Sequence, residues 1–261
     1  MAEIAQHLLA ALCGGVVGFV LGLVGGGGSI LAVPLMLYVV GVRNPHVAIG
    51  TSALAVALNA VAGLVSHWRA GTVKWRCAAL FAGSGVIGAA AGSTLGKSVA
   101  GDTLLFLFAL VMIAVGIIML RRKAATGNPA VRLGQDNAGK LVAYGSGAGL
   151  FSGFFGIGGG FLIVPGLIAA TGMPMINAVG SSLVAVTAFG ATTASSYAAS
   201  GLIDWPLAGA FVLGGVMGSA FGSSAARRLD ARRGVLKTVF AYVVFAVAGY
   251  MLWRSYSALS I

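Results

Sequence analysis

The sequence predicts an all-α polytopic membrane protein of two inverted repeats, each a broken-helix, re-entrant-like hairpin followed by three transmembrane helices. A scarcity of charge, an internal duplication and an alternation of basic loops carry this expectation. The chain has 261 residues, of which 59% are hydrophobic and only 8% charged, and its mean hydropathy is +1.00. A soluble domain carries roughly a quarter charged residues to wet its surface. Too few are present here for that, whereas lipid accepts apolar stretches of about 20 residues. The composition argues for the lipid bilayer as solvent and against a soluble enzyme.

The duplication is read by laying one half over the other. Residues 18–34, GFVLGLVGGGGSILAVP, match 149–165, GLFSGFFGIGGGFLIVP, position for position. After one residue drops out, Gly50-Thr51-Ser52 falls on Gly180-Ser181-Ser182. Gly71 and Trp75 fall on Gly201 and Trp205, and Gly88 and Gly92 on Gly218 and Gly222. This register divides the chain into a first membrane repeat at 1–121, a polar linker at 122–140 and a second, inverted repeat at 141–261.

Each repeat holds five apolar pieces. The first, 8–24 and 141–155, runs into a glycine cluster at 25–28 and 156–160. The second, 29–42 and 160–172, is too short to span, so the first two pieces form a hairpin of short helices. The remaining three are long enough to cross alone: 47–68, 76–96 and 103–120, then 178–199, 206–226 and 235–253. Glycines at helical spacing read as packing seams: Gly14, Gly18 and Gly22; Gly88, Gly92 and Gly96; Gly214, Gly218 and Gly222. Glu3 with no preceding Lys or Arg reads as a retained first segment rather than a cleaved signal. Cys13 and Cys77 have no metal or redox spacing.

Charge sets the orientation. The net charge is +11, but the basic residues sit between apolar pieces, as orientation signals do, and not in a stripe with aromatics. No nucleic-acid partner is expected. Arg69, Lys74 and Arg76 place the loop after the third piece in the cytoplasm, and Arg121, Arg122 and Lys123 place the linker there. In the second repeat the loop after the third piece has only Asp204, while the next holds Arg227, Arg228, Arg232 and Arg233. The two repeats are then inverted copies in a bacterial inner membrane, with both termini outside the cytoplasm. Inverted repeats with interrupted helices are the build of secondary transporters, whose substrate sits near mid-membrane.

The candidate site is the pair of glycine tips. Irregular backbone at membrane depth needs protein or a wet cavity around it. A helix start offers unpaired N–H groups to an anion, and glycine lets them approach it. Gly25, Gly26, Gly27, Gly28 and Ser29 form one tip, and Gly156, Gly158, Gly159 and Gly160 the other. Thr51, Ser52, Ser181 and Ser182 open the third pieces, either as helix caps or as ligand contacts. Asn59 lies inside a span, where an unpaired amide is costly. His67 and Arg69 form either an interfacial anchor or a cytoplasmic anion vestibule. All five acids, Glu3, Asp102, Asp136, Asp204 and Asp230, lie at or outside span ends, so no buried carboxylate carries a proton. No phosphate-binding loop for ATP is present. No catalytic residue, metal site or cofactor is predicted. Self-association into a homo-oligomer is left open.

With the tips running to Pro34 and Pro165, and Gly50-Thr51-Ser52 followed by His67-Trp68-Arg69-Ala70-Gly71, the chain resembles the TauE/SafE family, also called the sulfite and organosulfonate exporter or 4-toluene sulfonate uptake permease family. The resemblance covers essentially the whole chain. It implies transport of small sulfur-containing anions such as sulfite, sulfoacetate or other organosulfonates, more often outward. It also implies about eight spans, against six spans and two hairpins counted from charge. Two other classes stay open: an anion channel, in which the tips line a pore, and a membrane-embedded assembly factor.

Overall fold

The computed structural model describes residues 2–121, 127–128, 133–156 and 160–229, and beyond them 242, 245, 247–250 and 252–253. Among these residues there is helix and no strand. Five helical stretches are long and apolar enough to cross a membrane. The chain is thus an all-α polytopic membrane protein.

Helix α1 (Ala2–Val24) ends where Gly25 takes φ +71. A 3-10 segment (Gly25–Leu31) follows, then the short α2 (Ala32–Tyr38). The side chain of Gln6 near the start of α1 donates to the Val40 carbonyl (3.2 Å), so α1 and α2 form a hairpin with both ends on one side. Asn44 starts α3 (Pro45–Arg69) by accepting the N–H groups of His46 (2.9 Å) and Val47 (3.5 Å), with Pro45 in the first turn where no N–H is needed. Helices α4 (Trp75–Ser98) and α5 (Gly101–Arg121) follow.

The second half repeats the plan. Helix α6 (Gln135–Phe155) ends at Gly156 with φ +67, and α7 (Gly160–Thr171) contains Pro165. Helices α8 (Met175–Ala198) and α9 (Trp205–Leu229) complete it. Three helix starts differ from the sequence expectation. The first helix of each half begins earlier, at Ala2 and Gln135, inside segments read as polar lead-in and linker. The Asn137 side chain holds the Gly134 N–H (3.0 Å), which stabilises a helix start that hydropathy alone does not mark. Helix α2 begins at Ala32, after the 3-10 segment, and not at Ser29. The expected span at 235–253 lies mostly outside the described residues.

Packing couples the halves. Helix α1 lies on α9, and α6 on α4, in two parallel pairs. In the first pair, a Cβ on Gly14, Gly18 or Gly22 would strike the backbone of Phe211, Gly215 or Ser219. In the second, Gly145, Gly149 and Gly153 meet the backbone of Phe81, Gly85 and Ala89. The spaced glycines are therefore backbone-to-backbone seams, where dispersion replaces the hydrophobic effect that lipid does not supply. At the centre α3 and α8 run antiparallel, with Gly50 against Tyr197, Gly190 against Ala53 and Ala57, and Gly63 against Leu183. Leu8, Leu12, Ile87, Leu213 and Phe221 stay exposed, as lipid-facing residues do. Trp68 and Trp75 stand edge to face at 6.0 Å beside the exposed Arg69 and Arg76, a set fit for the membrane–water interface.

Candidate functional site

The first tip is built from a helix that cannot continue. Gly25 at φ +71 adopts the left-handed region that a side chain disfavours. The N–H of Gly26, which an unbroken helix would aim at the Gly22 carbonyl, instead donates to Ser182 Oγ (3.0 Å). Ser182 Oγ in turn donates to the Val179 carbonyl (2.8 Å), and Ser29 Oγ to the Gly26 carbonyl (2.8 Å). Gly25, Gly26, Gly27, Gly28 and Ser29 are all buried.

The second tip mirrors it. Gly156 at φ +67 ends α6 against Ile49, as Gly25 ends α1 against Val179, its counterpart in the repeat. The tips meet each other. A Cβ on Gly26 would strike the Gly160 backbone, and one on Gly160 would strike the Gly26 carbonyl. No methyl group fits between them in this conformation. Gly158 and Gly159 lie outside the described residues.

The hydroxyls flanking the tips divide into two kinds. Thr51 Oγ1 accepts the Asp204 N–H (3.0 Å), and Ser181 Oγ accepts the Lys74 N–H (2.9 Å). Each ties its own helix start to the residue preceding α9 or α4 in the other half. Ser52, by contrast, is fully buried and its hydroxyl has no partner among the described residues.

Asn59 is also fully buried, and neither carboxamide atom has a partner among the described residues. It packs on Gly215, where a Cβ would collide with it, whereas Phe189 at the repeat-equivalent position packs on Gly85. His67 is fully buried rather than interfacial. Its Nδ1 lies 2.9 Å from Thr72 Oγ1 and its Nε2 3.3 Å from the Gly22 carbonyl, so it braces the end of α1. Asn177 Nδ2 donates to the Thr72 carbonyl (2.9 Å) and completes that brace from α8. Arg69, two residues on, is exposed and stands apart from the tips.

The structure thus gathers Gly25, Gly26, Ser29, Gly160 and Ser182 at one place, with His67 behind the first tip. Sequence reasoning passed over Thr72, Ser152, Tyr197 and Lys97. The duplication itself carries the signal for Tyr197, because it falls on His67 when the halves are superposed. Among the described residues no group of His, Cys, Asp and Glu could hold a metal ion.

The family profile described as "Sulfite exporter TauE/SafE" matches residues 10–251. A probable membrane transporter protein of Xylella fastidiosa (strain Temecula1) is 52% identical over 260 residues, covering 97% of this chain and 98% of that one. The probable membrane transporter protein YunE of Bacillus subtilis (strain 168) is 29% identical over 252 residues, covering 87% and 91%. No solved structure matches.

Proposed function

The chain belongs to the sulfite exporter TauE/SafE family, and from that premise we propose that it is a secondary transporter that exports small sulfur-containing anions such as sulfite, sulfoacetate or another organosulfonate. The observation that carries the reading is the meeting of two interrupted helices at Gly26 and Gly160. Breaking two helices at depth exposes backbone N–H groups where a side chain is not needed to bind, and the absence of Cβ atoms lets a small oxyanion reach them. The anion is held near mid-depth where Gly25–Ser29 and Gly156–Gly160 come together, with Ser52 and Asn59, buried and without a partner among the described residues, as side-chain donors.

The tips touch in this conformation, so binding requires them to part. The hairpin of α1 and α2 then moves against that of α6 and α7. The antiparallel run of α3 and α8 supports an inverted relation of the halves, which would make opening to one side the mirror of opening to the other. On this reading the protein lies in the bacterial inner membrane with both termini outside, and its partners are the lipid bilayer and the anion.

Reconstituted vesicles test this. Saturable sulfite counterflow is expected from the wild-type chain, and its loss from Gly26→Val, whose added carbons stand where Gly160 sits. Normal counterflow in Gly26→Val would remove the tips from the path. An ohmic current without counterflow would make the protein a channel.

A further inference from the structure

The two tips differ in the polarity of their surroundings. Beside the first, Ser182 is satisfied at both its proton and its oxygen, and His67 is bonded through both ring nitrogens. Gly63, on the same side, meets the apolar Leu183 and Leu21. In the repeat, Ser182, His67, Leu21 and Gly63 become Ser52, Tyr197, Ser152 and Thr193. These four are fully buried, and none of their hydroxyls has a hydrogen-bond partner among the described residues.

Contacts among α3, α6 and α8 lie within a turn of each of the four. Gly156, one turn after Ser152, abuts Ile49, which lies one turn before Ser52. Gly190, one turn before Thr193, abuts Ala53, and Gly50 abuts Tyr197. A buried hydroxyl without a partner is destabilising, and one such group is tolerated as an isolated defect. Four such groups, carried by the three helices α3, α6 and α8 that pack together around one broken helix, form a set of donors with something to receive them.

Hydroxyls offer hydrogens to an anion or lone pairs to a cation, and Lys97 decides the sign. Its half-buried ammonium is fixed by the Ser196 carbonyl and Ser200 Oγ, both at 3.0 Å, and lies 5.9 Å above the Tyr197 ring. One carboxylate at this end, Asp204, is turned to the Leu207 N–H (3.1 Å) as a helix cap. His46 is a further ionisable group there, its ring 6.3 Å from that of Tyr197, and Asp102, next to the Gly101 that packs on Pro45, is exposed. A fixed positive charge beside neutral donors favours an anion.

We propose that the oxyanion is bound on the second-repeat side, its oxygens accepting hydrogen bonds from Ser52, Ser152, Thr193 and Tyr197, with Lys97 raising the potential at the rim. This rests on the transporter reading and adds to it: the hydroxyl donors come mainly from around the second tip, although the scaffold is duplicated.

The test measures binding of radiolabelled sulfite to the purified full chain and, in parallel, the ligand-free unfolding midpoint. Ser152→Ala, Thr193→Val and Tyr197→Phe each remove one oxygen and keep the shape. Each is expected to weaken binding about 10- to 100-fold while the ligand-free midpoint holds or rises, since an unpaired buried group is gone. Thr187→Val is the control, because that hydroxyl already donates to the Leu183 carbonyl (2.8 Å), and it should bind as wild type. Lys97→Gln should weaken binding more at low salt than at high salt. Wild-type affinity in all three hydroxyl variants overturns the placement and leaves the transporter standing. A fall in binding matched by a fall in the ligand-free midpoint also overturns it, since the hydroxyls are then structural. A wild-type chain that neither binds nor transports sulfite, sulfoacetate, taurine, thiosulfate or sulfate overturns both readings.

Discussion

Asn59 and Phe189 occupy the same place in the two repeats, one a carboxamide on Gly215, the other a phenyl ring on Gly85. The comparison is a substitution experiment already present in the chain: an apolar side chain fits this niche. Asn59→Leu is therefore expected to hold or raise the midpoint of thermal unfolding in detergent, because leaving two buried polar atoms unpaired costs about 1–3 kcal/mol each. Sulfite transport by the same variant should fall, and a variant that transports normally takes Asn59 out of the site. Thr51 and Ser181 behave in the opposite way. Each accepts a backbone N–H from the other half, so Thr51→Val or Ser181→Ala should cost about 1 kcal/mol of stability and leave sulfite affinity unchanged. Residue types and spacing marked all three positions as polar groups inside spans. They could not tell a satisfied hydroxyl from an unsatisfied one, because the satisfying groups, Asp204 and Lys74, lie in loops more than a hundred residues away in sequence.

At the level of elements, the glycines sort by what lies across from them. Gly149 faces the Gly85 carbonyl, whereas Gly147, two residues earlier on the same helix, faces open space. Gly149→Ala should force α6 off α4 and cost well over 1 kcal/mol, since close-packed backbones have nowhere to move. Gly147→Ala should be neutral or stabilising by up to about 1 kcal/mol through helix propensity. Fluorescence-detected size exclusion after graded heating separates the two. The seams were legible because glycine every fourth residue stays on one helix face. Their partners were not, because spacing says which face is narrow and nothing about what lies against it. The tips were legible as breaks for a related reason: consecutive glycines forfeit helix stability at each step. That the first break would become a 3-10 segment held by Ser182 depends on α8 and lies beyond any local pattern.

For the whole molecule, the sequence exposed the architecture through its own redundancy. Two halves in register predicted equivalent contacts, and equivalent contacts are found: Thr51 to Asp204 with Ser181 to Lys74, and Gly50 near Leu202 with Gly180 near Thr72. Duplication could not disclose where the halves diverge in environment, since that is a matter of what surrounds each copy. The topology expected from charge has its own test. A reporter inserted in the turn at 70–74 should read as cytoplasmic, and one in the turn at 199–204 as outside. Both reading alike would sink the inverted arrangement.

The parallel pairing of α1 with α9 bears on how the protein is made. Gly14 rests on Phe211, about 200 residues later in the chain. At roughly 5–20 residues per second, the first helix waits about 10–40 s for its proper neighbour to leave the ribosome. During that interval its small-residue face is open to any passing helix. A chain truncated before residue 205 should therefore be degraded rather than accumulate as a half-protein. Supplying the missing segment as a separate polypeptide, co-expressed in the same cell, should rescue it, which pulse-chase labelling would reveal.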